Sequence, residues 1–414
     1  MGLFPGAKAY FREKAECFSS ERPHAHKPTV YITDIMLLLY MFDAYRACKE
    51  NESASNSTAV FTGSIRHLAH FLWRRLAHPD GAERIESWQT HVATFDVPGC
   101  SPRAKEATQV KRSARGPPIE GVMHDVNDDA PLPTPLSACL RTTGFLRALI
   151  DRIVPLLEEE YAACSTFWGE LIVQWRDTPV RLFRDPESGK ARRQVMHHAH
   201  RVATIGEGDM SVCYWIQYFN ADATLVITKD TDMLLLLALV APMRTKTLTL
   251  RLDYAGTVDY VDINKFRKWL ATRYGSLYDA FLYCTLQGND YVAKVTKGCG
   301  PGPHLDALAA AVATLPSAVS VHNGTFALNE PLLKERLKTG CIRGSLVESC
   351  DVMIRQAYWY LFYALHAVNG SALASPLCSQ MHDDASLFGW VVGNDMRLAH
   401  ASRVSESPVF TLAS

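Results

Sequence analysis

Three short apolar runs, each rich in β-branched residues, end at an acidic residue. They are Thr29–Ile32 before Asp34, Val92–Phe95 before Asp96, and Ala223–Thr228 before Asp230. Segments with helical spacing of apolar residues, such as Ile65–Leu76 and Leu146–Tyr161, lie between these runs. This alternation predicts an α/β fold with a mostly parallel central sheet flanked by helices. Because functional groups of such sheets gather beyond the carboxyl ends of the strands, the three acidic residues mark a candidate site.

The pattern changes after the leucine-rich run that begins at Met233. Two strand-like segments, Thr247–Leu252 and Thr257–Val261, follow it, and the spacing from Phe266 to Val368 is mainly helical. The dense aromatic group at 358–363 lies in that helical part, where it predicts helix core in preference to a base-stacking surface. By contrast, Gly116–Ser137 is rich in Pro, Asp and Gly, which predicts a loop or insertion.

The amino-acid composition excludes few classes of binding partner. The chain has 414 residues, and its 43 Lys and Arg balance 43 Asp and Glu, so any basic surface for a polyanion must be local. The 11 cysteines include no Cys-x-x-Cys pair, which indicates reduced thiols and an intracellular protein. No apolar run approaches the roughly 20 residues that cross a bilayer, so we expect no membrane partner.

Two acidic blocks have the chemistry of a hard-cation site. Asp230 and Asp232 follow an apolar strand, and the block from Gly206 to Asp209 precedes an apolar helical run. Mg²⁺ takes oxygen ligands, and two such ions beside a phosphate stabilise both the attacking and the leaving oxygen. An Asp-x-Asp after a strand is also typical of a solvated turn or a helix N-cap, and the spacing alone leaves that alternative open.

The order of the acidic residues resembles that of the flap-endonuclease/XPG superfamily. The resemblance implies a PIN-like 5′-nuclease fold and two Mg²⁺ ions, for which Mn²⁺ substitutes, held by Asp34, Asp96, Glu207, Asp209, Asp230, Asp232 and Asp290. The segment that ends in Gly288-Asn-Asp-Tyr291 is similar to the family's L-x-G-x-D-Y motif. Gly298-Cys-Gly-Pro301 is similar to the hairpin of its helix-two-turn-helix, which implies K⁺ and nucleic acid at Gly298 and Gly300.

A basic segment, Pro102–Arg115, resembles the basic gateway helix of the same family. The resemblance gives Lys105 and Arg112 catalytic roles and implies nucleic-acid contacts at three further basic residues and at the glycine of the Met-Gly start: Arg103, Lys111, Arg115 and Gly2. Lys105 and Arg112 are seven residues apart, hence on one helix face. A solvated lysine-rich helix is the alternative for this segment.

The chain departs from the family pattern in several places. Asp209 replaces the usual Glu, one extra residue separates Asp290 from the hairpin, and no sliding-clamp motif is evident toward Ser414. The length and the missing clamp motif resemble poxvirus flap-endonuclease-like proteins, which implies a viral origin and either the nucleus or a cytoplasmic viral replication compartment. We expect five segments. They are an N-terminal nuclease region with the gateway helix (1–115), an insertion or cap (116–200), an internal nuclease region (201–280), the helix-two-turn-helix (281–315) and a helical C-terminal region (316–414).

The resemblance predicts a metal-dependent, structure-specific 5′ nuclease that cleaves DNA flaps or junctions in replication, repair or recombination. RNA is the alternative substrate, because Gly206–Asp209 and Gly288–Asp290 also resemble five-prime exoribonucleases, and herpesvirus host-shutoff RNases share the fold. The hairpin favours DNA. A non-catalytic nucleic-acid-binding relative is a third hypothesis, disfavoured because every acidic position is present. The sequence does not indicate an oligomeric state.

Overall fold

The computed structural model divides the chain into two compact units built from separated stretches. Unit 1 contains the described residues of 1–25 and 229–414, and unit 2 those of 26–101 and 110–228. The structure describes residues 3–23, 27–55, 63–79, 86–96, 131–140, 143–165, 169–174, 179–197, 208–242, 245–254, 257–312, 316–322, 325–369, 373–374, 390–392 and 397–400. The five consecutive segments expected from the sequence are a different kind of division and stay a prediction.

The helices and strands are numbered here in chain order. The helices are α1 Ala7–Lys14, α2 Ile35–Ser55, α3 Ile65–Ala77, α4 Leu136–Cys139, α5 Thr143–Ala163, α6 Gly208–Phe219, α7 Asp232–Val240, α8 Ile263–Tyr274, α9 Leu277–Thr285, α10 Pro301–Val312, α11 Glu330–Gly340 and α12 Cys350–Asn369. The strands are β1 Phe18–Ser19, β2 Val30–Asp34, β3 Thr90–Thr94, β4 Glu170–Gln174, β5 Val180–Arg184, β6 Ala191–Val195, β7 Ala223–Thr228, β8 Thr247–Tyr254, β9 Thr257–Asp262, β10 Thr296–Lys297, β11 Val319–His322, β12 Thr325–Leu328, β13 Ser345–Leu346, β14 Leu373–Ala374, β15 Trp390–Val392 and β16 Arg397–His400.

Unit 2 is built on a mixed sheet with the strand order β7-β2-β3-β4-β5-β6. The pairs β7/β2, β2/β3 and β3/β4 are parallel, whereas β4/β5 and β5/β6 are antiparallel. All residues of β2 and β7 are buried, as expected for parallel strands with both faces covered. The middle of β6 is exposed, so this strand forms the polar edge of the unit.

Unit 1 combines a small antiparallel sheet, in the order β1-β9-β8, with a mainly helical region. Alternate residues of β8, namely Leu248, Leu250 and Leu252, are fully buried, so one face of this strand supplies core. Every residue of α7 is buried as well. The aromatic residues at 358–363 of α12 are also buried, which confirms the prediction of helix core.

The predicted α/β class is confirmed, but the sheet is mixed and the expectation of a mostly parallel sheet is not confirmed, because β4/β5, β5/β6, β8/β9 and β1/β9 are antiparallel. The runs that precede Asp34, Asp96 and Asp230 form β2, β3 and β7. The region expected to be an insertion contributes β4, β5 and β6 to the sheet of unit 2. Within the described residues, no helix combines the length and apolar character needed to cross a bilayer.

Candidate metal centre

Asp230 lies in the turn before α7, and Asp232 is the first residue of that helix. Asp230 Oδ1 accepts a hydrogen bond from the backbone N–H of Asp232 at 3.0 Å, which helps to satisfy the first turn of the helix. Between them, the Thr231 hydroxyl accepts a bond from the backbone N–H of Leu3 at 3.1 Å. Asp230 therefore directly precedes the N-cap residue Thr231, and its side chain bonds the first backbone N–H of the helix.

Asp290 is presented by a tight loop between α9 and β10. The side-chain oxygen of Asn289 accepts hydrogen bonds from the backbone N–H groups of Tyr291 and Val292, at 2.9 and 2.7 Å. The backbone N–H of Asn289 donates to the Val292 carbonyl at 2.9 Å, which closes the loop. Gly288 has φ +104°, a conformation that favours glycine, so the chain turns sharply just before Asn289.

An aromatic contact anchors the same loop to α12. The ring of Tyr291 stacks on that of Tyr360, with centroids 4.3 Å apart and planes inclined by 21°. Both residues are buried. Since stacked aromatic pairs stabilise beyond their buried area, this contact restricts the position of the residue next to Asp290.

Within unit 1, three carboxylates that are far apart in the chain come together. One oxygen from each of Asp230, Asp232 and Asp290 lies within 4.8 Å of the others, with Asp232 and Asp290 buried and Asp230 half-buried. We call these residues the acidic triad. Two negative charges 4 Å apart repel by about 4 kcal/mol at an effective dielectric constant of 20, and a cation removes that cost. Three carboxylate oxygens form a donor set that fits Mg²⁺ or Mn²⁺.

The predicted metal ligands of unit 2 are held by individual hydrogen bonds. Asp34 ends β2 and caps α2, because its Oδ1 accepts from the backbone N–H of Met36 at 2.9 Å. Its Oδ2 accepts from the Thr228 hydroxyl at 3.1 Å. Asp96 Oδ1 accepts from the backbone N–H of Gly208 at 2.7 Å. Asp209 follows in the first turn of α6 and is half-buried.

Gly208 allows the close approach of α6 to Asp96. A Cβ atom at this position would lie 2.9 Å from Asp96 Oδ1, closer than such atoms normally come. The N-terminus of a helix carries partial positive charge, which favours a carboxylate there. Close packing against Asp96 therefore explains why residue 208, within the predicted acidic block, is a glycine.

Several predicted site residues lie outside the described residues. They are Gly2, Arg103, Lys105, Lys111, Arg112, Arg115 and Glu207. Their catalytic, nucleic-acid-binding and metal-binding roles stay predictions.

The predicted hairpin joins α9 and α10 through β10. Gly298 has φ +74°, and Gly300 directly precedes α10. The carbonyl of Cys299 accepts hydrogen bonds from the Lys294 ammonium and the Thr296 hydroxyl. A K⁺ ion at this carbonyl would compete with the ammonium of Lys294, and the expected K⁺ site stays a prediction.

His304 of α10 contacts the loop that follows α9 and helix α11. Its Nδ1 lies 2.9 Å from the Gln287 amide nitrogen, and its Nε2 lies 3.0 Å from the Leu337 carbonyl. These contacts fit a neutral ring that accepts at Nδ1 and donates at Nε2. Burial, opposed by the bond to Leu337, lowers the pKa of His304, so the ring supports the helices as a neutral group.

No family model matches the chain, and no curated protein matches it.

The sequence reasoning missed the residues that hold Asp290 in place. Asn289 precedes it in a Gly-Asn-Asp turn, and an asparagine there is a local signal for a side chain that bonds the backbone two residues ahead. The stacking partner Tyr360 had no such signal, because it belongs to a helix much later in the chain.

Proposed function

We propose that this protein is a metal-dependent nuclease that hydrolyses phosphodiester bonds. The observation that carries the proposal is the acidic triad, in which oxygens of Asp230, Asp232 and Asp290 gather within 4.8 Å. A divalent ion bound there would act as a Lewis acid on a phosphate oxygen and lower the pKa of a water molecule.

In this proposal, different residues have different binding roles. Asp230, Asp232 and Asp290 hold one ion, while Asn289 fixes the loop that carries Asp290. On the resemblance, Asp34, Asp96, Glu207 and Asp209 are further metal ligands. Lys105 and Arg112 orient the scissile phosphate and balance its charge.

We infer a PIN-like arrangement for the fold. Support comes from unit 2, where parallel strands run in the order β7-β2-β3-β4. Asp34 ends β2, and Asp96 follows β3 by two residues. Placing carboxylates at the carboxyl ends of adjacent parallel strands is the usual way in which an open α/β sheet forms a site.

We propose branched or flapped DNA as the substrate. The helix–hairpin–helix of α9, β10 and α10 supports this choice, because a backbone turn that opens a helix suits a duplex phosphate. An RNA-directed 5′ nuclease is the alternative, because Gly206–Asp209 and Gly288–Asp290 also resemble blocks of five-prime exoribonucleases. Turnover of a 5′-flap DNA and of a single-stranded RNA of equal length separates the two, and cleavage of the RNA alone would reverse the choice.

The decisive experiment replaces one ligand of the acidic triad. Asp290→Asn keeps the side-chain size and removes one charge, so we expect Mg²⁺-dependent cleavage to fall about 100- to 1,000-fold, as when one group that stabilises charge in the transition state is removed. Mn²⁺ binding, measured by calorimetry, should weaken in parallel. Glu335→Gln on α11 is the matched control, because Glu335 is exposed and lies outside the triad.

Two outcomes would contradict the proposal. Undiminished cleavage by Asp290→Asn would mean that the triad holds no catalytic ion. Equal loss in Glu335→Gln would mean that the effect is not specific to the triad. Circular dichroism of both variants checks that the fold is retained.

A further inference from the structure

Helix α6 of unit 2 carries a dense aromatic group. Four of its last six residues are aromatic, namely Tyr214, Trp215, Tyr218 and Phe219. The comparable group on α12 is buried and forms helix core. On α6, by contrast, Tyr218 is 40 % exposed and Tyr214 is half-buried. Burial in the core therefore does not account for these two side chains, which we call the tyrosine pair.

The tyrosine pair is stacked on one face of the helix. Its members are four residues apart, with ring centroids at 5.9 Å and ring planes inclined by 24°. Trp215 and Phe219 each contact the ring of Tyr218 in T-shaped geometry, with centroids at 5.2 Å. Because its neighbours restrict the exposed ring, the pair presents an aromatic surface that is formed before any ligand binds.

A buried polar network fixes the support of the tyrosine pair to the sheet. Trp215 is fully buried, and its indole N–H donates to Gln174 Oε1 of β4 at 2.6 Å. The Gln174 amide nitrogen donates in turn to the Ser211 hydroxyl of α6 at 2.8 Å. Both Gln174 and Ser211 are buried. Since buried polar groups with partners rigidify a core, this network fixes the orientation of Trp215 beneath the exposed ring.

The helix that carries the tyrosine pair has almost no charge. Residues 208–221 include a single charged side chain, that of Asp209. Such a surface suits the flat face of an uncharged ring and offers no cation to a phosphate. In a duplex the bases stack on one another, whereas a single strand leaves them free to stack on aromatic side chains. The bases of a single strand are therefore the ligand that this surface fits.

The same helix begins at two of the predicted metal ligands. Asp209 lies in its first turn, and the backbone N–H of Gly208 donates to Asp96 at 2.7 Å. At a rise of about 1.5 Å per residue, the Cα atom of Tyr218 lies about 14 Å along the helix from that of Asp209. That distance corresponds to about four stacked nucleotides of one strand.

We propose that the tyrosine pair stacks on the bases of a single-stranded nucleic acid. The inference rests on the proposed nuclease function, in which Asp209 is a metal ligand. It names the single-stranded arm of the substrate as the part that α6 contacts. Stacking on Tyr214 and Tyr218 would hold that arm by its bases, so binding there depends on neither base identity nor phosphate charge.

Binding in EDTA tests this proposal apart from cleavage. An oligothymidine of about 12 nucleotides is compared with an abasic strand of the same length, by fluorescence anisotropy on the full-length protein. Both strands carry the same number of phosphates, so the difference reports on the bases. We expect the wild type to bind the oligothymidine about tenfold more tightly. Tyr218→Ala should lose most of this preference with an unchanged salt slope, because no phosphate contact is removed.

Three further variants separate stacking from other contacts. Tyr218→Phe keeps the ring and should bind the oligothymidine within about twofold of the wild type. Tyr218→Leu keeps an apolar side chain without a π-face, so it should lose the preference as Tyr218→Ala does. Trp88→Ala is the matched control, because Trp88 is 49 % exposed and lies before the amino end of β3. Thermal unfolding of each variant should stay close to that of the wild type, since the substituted side chains are exposed.

Several outcomes would overturn the proposal. They are a wild type that does not distinguish bases from abasic sugars, a preference that survives Tyr218→Ala, and equal weakening of a DNA duplex. Full affinity in Tyr218→Leu would indicate an apolar contact, as with another protein, and would also contradict stacking. An oligouridine of the same length identifies the strand. Weakening of either oligomer by Tyr218→Ala supports stacking, and the one that the wild type binds more tightly is the preferred nucleic acid.

The cleavage assay distinguishes a failure of this inference from a failure of the nuclease function. If the wild type cleaves and Asp290→Asn does not, yet Tyr218→Ala keeps its preference for bases, the role of the tyrosine pair alone is wrong. If Tyr218→Ala loses the preference but the wild type cleaves neither DNA nor RNA, the stacking surface stands and the nuclease function is wrong.

Discussion

The carboxylates of the two units are stabilised in different ways. In unit 1, Asp230, Asp232 and Asp290 crowd together within 4.8 Å, an arrangement whose repulsion a cation would relieve. In unit 2, Asp34 and Asp96 each accept short hydrogen bonds from their own surroundings, Asp34 from Met36 and Thr228 and Asp96 from Gly208. In unit 2, backbone and hydroxyl groups donate to these separate carboxylates, whereas in unit 1 three carboxylates share one small volume. Stability should therefore respond to metal in unit 1 and to pH and hydrogen bonding in unit 2.

The largest expected effect is the acid sensitivity of unit 2. His91 lies on β3, fully buried between the Thr33 hydroxyl and the Leu76 carbonyl, and burial lowers its pKa to about 4. Because the unfolded state binds this proton more readily, the stabilisation is complete above pH 6.5 and is lost as the pH falls toward 4. The shift corresponds to about 3 kcal/mol.

Urea unfolding between pH 4 and pH 7 measures this loss. His91→Gln should flatten the pH dependence across that window, although it lowers stability at pH 7. His70→Gln is the control, because His70 is exposed. An unchanged pH dependence in His91→Gln would show that other groups dominate the acid response.

The next effect is the stabilisation of unit 1 by metal. Mg²⁺ at 100 times its dissociation constant should add about 2.7 kcal/mol to the free energy of unfolding of the wild type. Asp232→Asn should abolish most of this gain, yet in EDTA it should be at least as stable as the wild type, because it removes one repelling charge. Thermal unfolding with and without Mg²⁺ measures both quantities, and a variant that is destabilised in EDTA would contradict the repulsion argument.

A smaller effect is expected at the Asp96 contact of unit 2. Asp96→Asn weakens the charge-assisted hydrogen bond from Gly208 and should cost about 2 kcal/mol in EDTA. Gly208→Ala should displace the same carboxylate. Glu187→Gln, on the exposed β5–β6 turn, is the control and should cost almost nothing. If Asp96→Asn is as stable as the wild type in EDTA, the hydrogen bond from Gly208 does not stabilise unit 2, and the proposed difference between the two units is wrong.

The smallest effect concerns Asn289, a positioning residue for Asp290. Asn289→Ala removes the bonds to Tyr291 and Val292, so about tenfold more Mg²⁺ should be needed for half-maximal cleavage. Asn329→Ala is a close control, because Asn329 caps α11 through a bond to Leu332 but lies outside the loop. It should lower stability by about 1 kcal/mol and leave the Mg²⁺ requirement unchanged. If both variants need more Mg²⁺ for half-maximal cleavage, the effect of Asn289→Ala comes from lost stability and not from the position of Asp290.

Local patterns were enough to predict most elements that position the acidic residues. The apolar runs before Asp34, Asp96 and Asp230 became β2, β3 and β7 because β-branched residues followed by a polar turn specify a buried strand. The helix pattern at Ile65–Leu76 became α3. Strand direction was harder to predict, since β5 and β6 add antiparallel pairs through contacts that no short window contains.

The sequence by itself determined which carboxylates lie at the ends of strands and which residues turn the chain. Only the tertiary structure decided that Asp290 joins Asp230 and Asp232, and that Tyr360 holds the loop of Asp290. The physical reason is separation along the chain. Periodicity and turn chemistry act over a few residues, whereas these contacts join segments that meet only when the core is packed.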